Sequence, residues 1–206
     1  MESNMSLDFD INRKSKAPAI KKFILRLVVF LLETAFVIGL AYAIVEYAME
    51  RTVMTGVSME ATLENETVII INKLSYIKKD PERFDVIVFK QMGVEHSYYN
   101  VKRVIGLPGE TVQIKNGLVY INGELLEEPV EGLESMHLAG FAEKELLLEE
   151  DEFFVLGDNR NQSEDSRFAN IGNITREEII GKAWITLNPF DIISLKNLKQ
   201  EEETED

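Results

Sequence analysis

Thr111-Val112-Gln113-Ile114-Lys115-Asn116-Gly117-Leu118-Val119-Tyr120-Ile121 decides the fold class. Two runs rich in β-branched and aromatic residues flank Asn116-Gly117. Asn-Gly supplies the two positive φ angles of a type I′ turn, so the stretch reads as a β-hairpin. A second Asn122-Gly123 follows at once. On either side the same grammar recurs in short runs bounded by Gly, Asn, Asp and Pro: Thr67–Ile71, Asp85–Phe89, Tyr98–Ile105, Phe153–Leu156 and Ala183–Leu187. Each reads as a strand. Helical signals are few. Thr175-Arg176-Glu177-Glu178 has the form of an N-cap with an acidic first turn, which predicts one short helix around 176–180. The acid-rich stretch 127–151 reads as an irregular excursion, and about 116–150 as a small extension or cap on a mostly β body.

Upstream of the β region, Leu27 to Ala48 reads LVVFLLETAFVIGLAYAIVEYA, an apolar run of 22 residues broken by Glu33 and Glu46. As a helix it is about 33 Å long, enough to cross a hydrocarbon core of roughly 30 Å. Glu33 inside a bilayer costs about 2.5–3.5 kcal/mol, so it must be protonated, paired or turned to a protein neighbour. Ala41-Tyr42-Ala43 has the small-x-small form of a signal-peptide cleavage site. A retained anchor is the better reading, because the polar leader is long and the run continues past Ala43. Both faces are apolar, which argues against a buried helix of a soluble domain.

Charge is distributed unevenly. Residues 1–26 carry Arg13, Lys14, Lys16, Lys21, Lys22 and Arg26 against Glu2, Asp8 and Asp10, a balance of +3; the total of −14 leaves −17 for the rest. The positive-inside rule then predicts a cytoplasmic tail over 1–26, an anchor over 27–48 and an extracytoplasmic domain over 49–195. The acidic tail 196–206 and the polar residues 1–20 read as disordered. An acidic body repels phosphate backbones, so nucleic acid is not an expected partner. The chain has no cysteine, which excludes disulfides and a thiol nucleophile.

Three blocks carry chemistry. The first is Gly56-Val57-Ser58-Met59-Glu60-Ala61-Thr62-Leu63, in which glycine leaves the serine accessible and the Ser58 N–H is a natural oxyanion donor. The second is Val101-Lys102-Arg103-Val104-Ile105-Gly106, and the third Gly157-Asp158-Asn159-Arg160-Asn161-Gln162-Ser163-Glu164-Asp165-Ser166-Arg167. A serine nucleophile needs a base, and the two histidines, His96 and His137, sit in no motif. A lysine whose charge is removed by burial serves instead, through a fall in pKa from about 10.4 to roughly 8. Each block alone is a weak signal. Asp165 and Arg167 read as a structural salt bridge, and Met59, Leu63 and Val101 fit either pocket lining or core.

In this order behind an anchor, the three blocks resemble the bacterial type I signal peptidases, in the short form of Gram-positive bacteria, over about residues 25–190. The resemblance implies a mostly β catalytic core with a small β-rich extension, resting on the membrane surface behind one transmembrane helix. It implies Ser58 as nucleophile, Lys102 as general base and Ser163 as the residue whose hydroxyl orients the lysine. Arg103, Asp158, Asp165 and Arg167 would support the site structurally. No metal or cofactor is implied. The partners implied are the cleavage regions of preprotein signal peptides, the lipid bilayer and the secretion machinery.

Two positions depart from the family pattern. Ala61 stands where the family usually has proline, and Gly56 where other members carry serine, which leaves oxyanion stabilisation to backbone N–H groups. Two rivals remain on the sequence alone. A self-cleaving repressor-type peptidase shares the Ser-Lys chemistry but is soluble and DNA-binding, against the anchor and the charge. A catalytically weak anchored scaffold for exported proteins has only Ala61 in its favour.

Overall fold

The computed structural model describes residues 17–91, 98–130 and 132–193. The expectations for residues 1–16, for His96 and for the tail 196–206 fall outside them. The described chain opens with helix α1 (Ala17–Ala48), of which Ile20–Ala48 is long and apolar enough to cross a membrane, with mean hydropathy 2.3. The helix begins before the expected anchor at Leu27 and includes residues 17–20, which had read as disordered. Lys21, Lys22 and Arg26 carry no helix-breaking chemistry, so they extend the apolar helix rather than end it. The segment up to Ile44 and the body from Val45 onward are separate units.

The body is β. Its larger sheet runs β1 (Met49–Val53), β2 (Val68–Asn72), β11 (Ile179–Leu187), β3 (Val86–Phe89), β4 (Asn100–Gly106), β9 (Glu152–Leu156) and β10 (Ile174–Thr175), with β12 (Phe190–Ile192) paired to β11. Every pairing in it is antiparallel. A smaller sheet runs β7 (Glu124–Leu125), β6 (Leu118–Ile121), β5 (Thr111–Lys115) and β8 (Leu146–Leu147).

The hairpin falls on the expected residues, with Lys115 opposite Leu118 and φ of 53° at Asn116 and 77° at Gly117. Its first strand, Thr111–Lys115, belongs to the small sheet. Residues 127–151 are largely irregular, with one 3-10 turn (Gly140–Glu143) and β8. The helix expected at 176–180 is a 3-10 turn over Arg176–Glu178, leading directly into β11. The Glu178 carboxylate does accept from the Thr175 N–H at 2.9 Å, but β-branched Ile179 and Ile180 continue as strand.

The large sheet is curled, and its two faces bury different clusters. One face joins Met54, Met59, Leu63, Ile69, Ile71, Val86, Val88, Val101 and Ala183. The other joins Ile87, Phe89, Val104, Phe153, Val155 and Ile174 with Tyr76 and Ile179. Alternation along β3 and β4 assigns successive residues to opposite clusters, as a strand buried on both faces requires. A third cluster, from Ile105, Phe154 and Leu156 to Val112, Ile114, Val119 and Ile121, fastens the small sheet to the large one.

Candidate active site

Ser58 lies in the turn that follows β1. Gly56 there has φ of 102°, and its N–H donates to Asn65 Oδ1 at 2.8 Å. A serine hydroxyl at position 56 would need a side chain on a backbone that favours glycine, which gives a physical reason for that departure. The turn closes through Glu60 N–H to Val57 O at 3.1 Å and Leu63 N–H to Met59 O at 2.8 Å. Ala61 carries φ of 98°. Proline is locked near −65°, so the family's usual residue does not fit this backbone.

Lys102 is the third residue of β4 and is 4% exposed. Its Nζ donates to Ser58 Oγ at 2.9 Å and to the Val101 carbonyl at 3.1 Å. Among the described residues no carboxylate pairs with it within ion-pair distance. Burial pulls its pKa below the ordinary lysine value, against the weaker opposing pull of Asp165, Asp158 and Glu164. Beside this pair, β1 and the start of β4 each have an unpaired edge. β1 ends the strand order, so one of its edges is unpaired. β9 covers β4 only from Arg103 onward. Val104 exchanges hydrogen bonds with Phe84 and Asp85 on the β3 side. By alternation, the Val101 N–H and C=O face the side that β9 has left free.

Arg103, next to the lysine, is 2% exposed and its guanidinium grips Asp158 through Nε to Oδ1 at 2.8 Å and Nη2 to Oδ2 at 2.6 Å. Thr62 joins them, donating to Asp158 Oδ2 at 2.5 Å and accepting from Arg103 at 3.0 Å. This knot ties the serine turn, β4 and the Gly157 loop together. Asn159 N–H to Ser58 O at 3.1 Å adds a backbone link.

Asp165, wholly buried, accepts from the Gly157 N–H at 3.1 Å and from Arg167 Nε at 2.7 Å. Arg167 also donates to the carbonyls of Arg160 at 2.6 Å and Leu138 at 3.1 Å. Arg160, 3% exposed, donates to Gly157 O at 3.1 Å and forms a two-pronged ion pair with Glu128 of the extension. The loop that follows β9 is therefore held by the core on one side and by the extension on the other.

Ser163 lies in the loop that follows β9. Its Oγ is buried, has no hydrogen-bond partner and makes no bond to Lys102. It is still close to the site, since a Cβ on Gly157 would fall 2.2 Å from Ser163 Oγ and 2.4 Å from Ser58 O. Met59, Leu63 and Val101 are 0%, 2% and 4% exposed and share one core cluster beneath the serine turn. Sequence reasoning missed Thr62, although it stands in the serine block, and missed the Arg160–Glu128 pair. Thr62 differs in type from its apolar neighbours Ala61 and Leu63. Nothing in the sequence distinguishes Glu128 from the other acids of its stretch.

Comparison with known proteins gives one consistent result. Residues 27–188 match the family described as signal peptidase, peptidase S26. Signal peptidase I of Leptolyngbya laminosa is 40% identical over 158 residues, covering 74% of this chain and 75% of that protein. Signal peptidase I of Bacillus caldolyticus is 38% identical over 154 residues, covering 70% of this chain and 82% of the relative. Signal peptidase I V of Bacillus subtilis is 38% identical over 136 residues, covering 61% and 78% respectively.

Proposed function

This chain belongs to the signal peptidase family, peptidase S26, and on that premise we propose that it is a membrane-anchored serine endopeptidase working by a Ser58–Lys102 dyad. The observation that carries the chemistry is the 2.9 Å hydrogen bond between Lys102 Nζ and Ser58 Oγ at a buried lysine. An amine there is neutral at lower pH than a free lysine, because desolvation penalises only the ammonium. The neutral Nζ takes the Ser58 proton as Oγ attacks the carbonyl carbon of the residue at −1. The resulting ammonium returns that proton to the departing amine as the C–N bond breaks, leaving an ester on Ser58. Water, giving a proton to the same amine, hydrolyses the ester and regenerates the hydroxyl.

The substrate is the cleavage region of a preprotein signal peptide. It enters as an extended strand between the free edge of β1 and the uncovered start of β4, where the Val101 N–H and C=O offer backbone hydrogen bonds. Met59, Leu63 and Val101 form the floor beneath alternate side chains, which favours small residues at −1 and −3. Ser163 Oγ, unpartnered and buried, is a reserve partner for the lysine when Ser58 is acylated. Arg103, Asp158, Asp165 and Arg167 fix the strands and the loop around the dyad. Helix α1 is the anchor, with Lys21, Lys22 and Arg26 on the cytoplasmic side and the β body outside. Confinement to one membrane surface raises the effective concentration of enzyme and substrate together.

The test is cleavage of a peptide with Ala at −3 and −1, and of a preprotein, by the full chain in detergent or lipid. Wild type should cut after the −1 Ala, and Ser58→Ala and Lys102→Met should each lose at least about a thousandfold. Residual cleavage within tenfold of wild type in either variant would remove that residue from the mechanism.

A further inference from the structure

The two walls of the open groove are far apart in the strand order, yet a pair of side chains joins them. Tyr99, immediately before β4, donates its hydroxyl to Glu50 Oε1 on β1 at 2.5 Å. Three strands, β2, β11 and β3, lie between β1 and β4 in the order of the sheet. The contact therefore closes across the concave side, not along the sheet. Alternation supports this placement. Glu50 and Thr52 share a face with Met54, and Tyr99 shares a face with Val101; Met54 and Val101 meet in the same core cluster.

The contact is anchored on the β1 side. Lys73, just past β2, pairs with Glu50 Oε2 at 3.2 Å, which holds the carboxylate in place from its own wall. The Tyr99 hydroxyl, together with Lys73, keeps the Glu50 carboxyl below the usual carboxylate range, while the carboxylate pushes the Tyr99 phenol up to about 12. At neutral pH the bond is therefore between a phenol and a full carboxylate, the stronger kind of hydrogen bond. Its position is distinct from the dyad: Glu50 on β1 precedes Ser58 by eight residues, and Tyr99 precedes Lys102 by three on the other wall.

We infer that the Glu50–Tyr99 hydrogen bond is a clasp that sets the width of the substrate groove, making Tyr99 and Glu50 specificity-determining residues. This rests on the reading of the groove as the substrate site. The clasp works on binding and selection, since it fastens the walls without touching the reacting atoms. With it intact, the walls hold a narrow strand with small side chains. Without it the walls part, backbone pairing weakens and bulkier side chains are accepted.

The experiment uses the full chain in detergent and a peptide series with Ala, Val or Leu at −3 and Ala kept at −1. Tyr99→Phe keeps the ring and removes only the hydroxyl. It should raise KM for the Ala peptide about fivefold with kcat within twofold of wild type, and cut the preference for Ala over Leu at least fivefold. Glu50→Ala should reproduce this. Glu50→Gln, which retains an oxygen to accept the phenol but gives up the charge that Lys73 holds, should fall between wild type and Glu50→Ala in both KM and selectivity. Wild-type KM and wild-type selectivity in Tyr99→Phe would overturn the clasp and leave the peptidase reading standing. If wild type itself cleaves none of the peptides nor a preprotein, the groove reading fails and the clasp falls with it.

Discussion

Replacing Asp158 by Asn tests how the site is held together and how its charge is set. Arg103 and Asp158 are 2% and 0% exposed at their side chains and are joined by two hydrogen bonds. Asparagine preserves the shape but leaves the Arg103 guanidinium buried without a counter-charge. Breaking a buried pair from one side costs about 3–5 kcal/mol. For a domain whose whole stability is of order 5–15 kcal/mol, that is a large fraction. With a urea slope of about 2 kcal/mol/M, the unfolding midpoint falls by roughly 2 M.

The same substitution acts on the lysine. Asp158 is one of the carboxylates that pull the Lys102 pKa upward against burial, so removing its charge lowers that pKa further. The alkaline-rising limb of kcat/KM should move to lower pH. Both readouts come from the purified full chain, unfolding in urea and peptide cleavage across pH 6 to 10. The double variant Arg103→Met/Asp158→Leu, which removes both charges, should be more stable than Asp158→Asn. A loss below about 1 kcal/mol, or a limb that moves to higher pH, would refute the reasoning.

Other substitutions probe the backbone around the dyad. Ala61→Pro demands a φ near −65° where the chain has 98°, so activity should fall at least tenfold and the thermal midpoint should drop; Ala61→Gly, which relieves the strained φ, should keep activity with a midpoint equal or higher. Gly157→Ala places a Cβ 2.2 Å from Ser163 Oγ and 2.4 Å from Ser58 O, so peptide cleavage should fall about a hundredfold or more while circular dichroism still reports a β fold. Wild-type rates in either Ala61→Pro or Gly157→Ala would contradict the described loop geometry.

What was legible in the sequence follows from how local each signal is. The 111–121 hairpin was readable to the residue, because Asn116-Gly117 fixes both turn and register locally. β1 was not, since Met-Glu-Arg-Thr-Val shows no apolar alternation and becomes a strand by pairing with Val68–Asn72. The two- and three-residue strands β7, β8, β10 and β12 are too short to carry a period. Thr175 and Glu178 are hydrogen-bonded at the expected N-cap, yet the β-branched residues after them set the outcome as strand.

The site divides in the same way. Ser58 and Lys102, 44 positions apart in the chain, were identified from their blocks and are hydrogen-bonded in the structure. Asp165 and Arg167 form the salt bridge expected of them, whereas the pairing of Arg103 with Asp158 joins residues that the sequence named only separately. Glu128 was one acid among several in its stretch, and only the fold selects it as the partner of Arg160. The Tyr99–Glu50 contact depends on how far the sheet curls, which no local pattern encodes.

The most direct test of the dyad is to titrate Lys102 itself, by 15N NMR of its amine in the full chain in detergent. Burial lowers the pKa in the folded state relative to the unfolded value of 10.5, so the amine should lose its proton below that value and the limb of kcat/KM should coincide with it. The linked stability has a definite sign: it is greatest above the unfolded pKa and is lost as pH falls through the folded one, so Lys102→Met should unfold at a higher temperature than wild type at pH 7. An amine that titrates at or above 10.5, with activity already at its plateau at pH 7, would contradict the account.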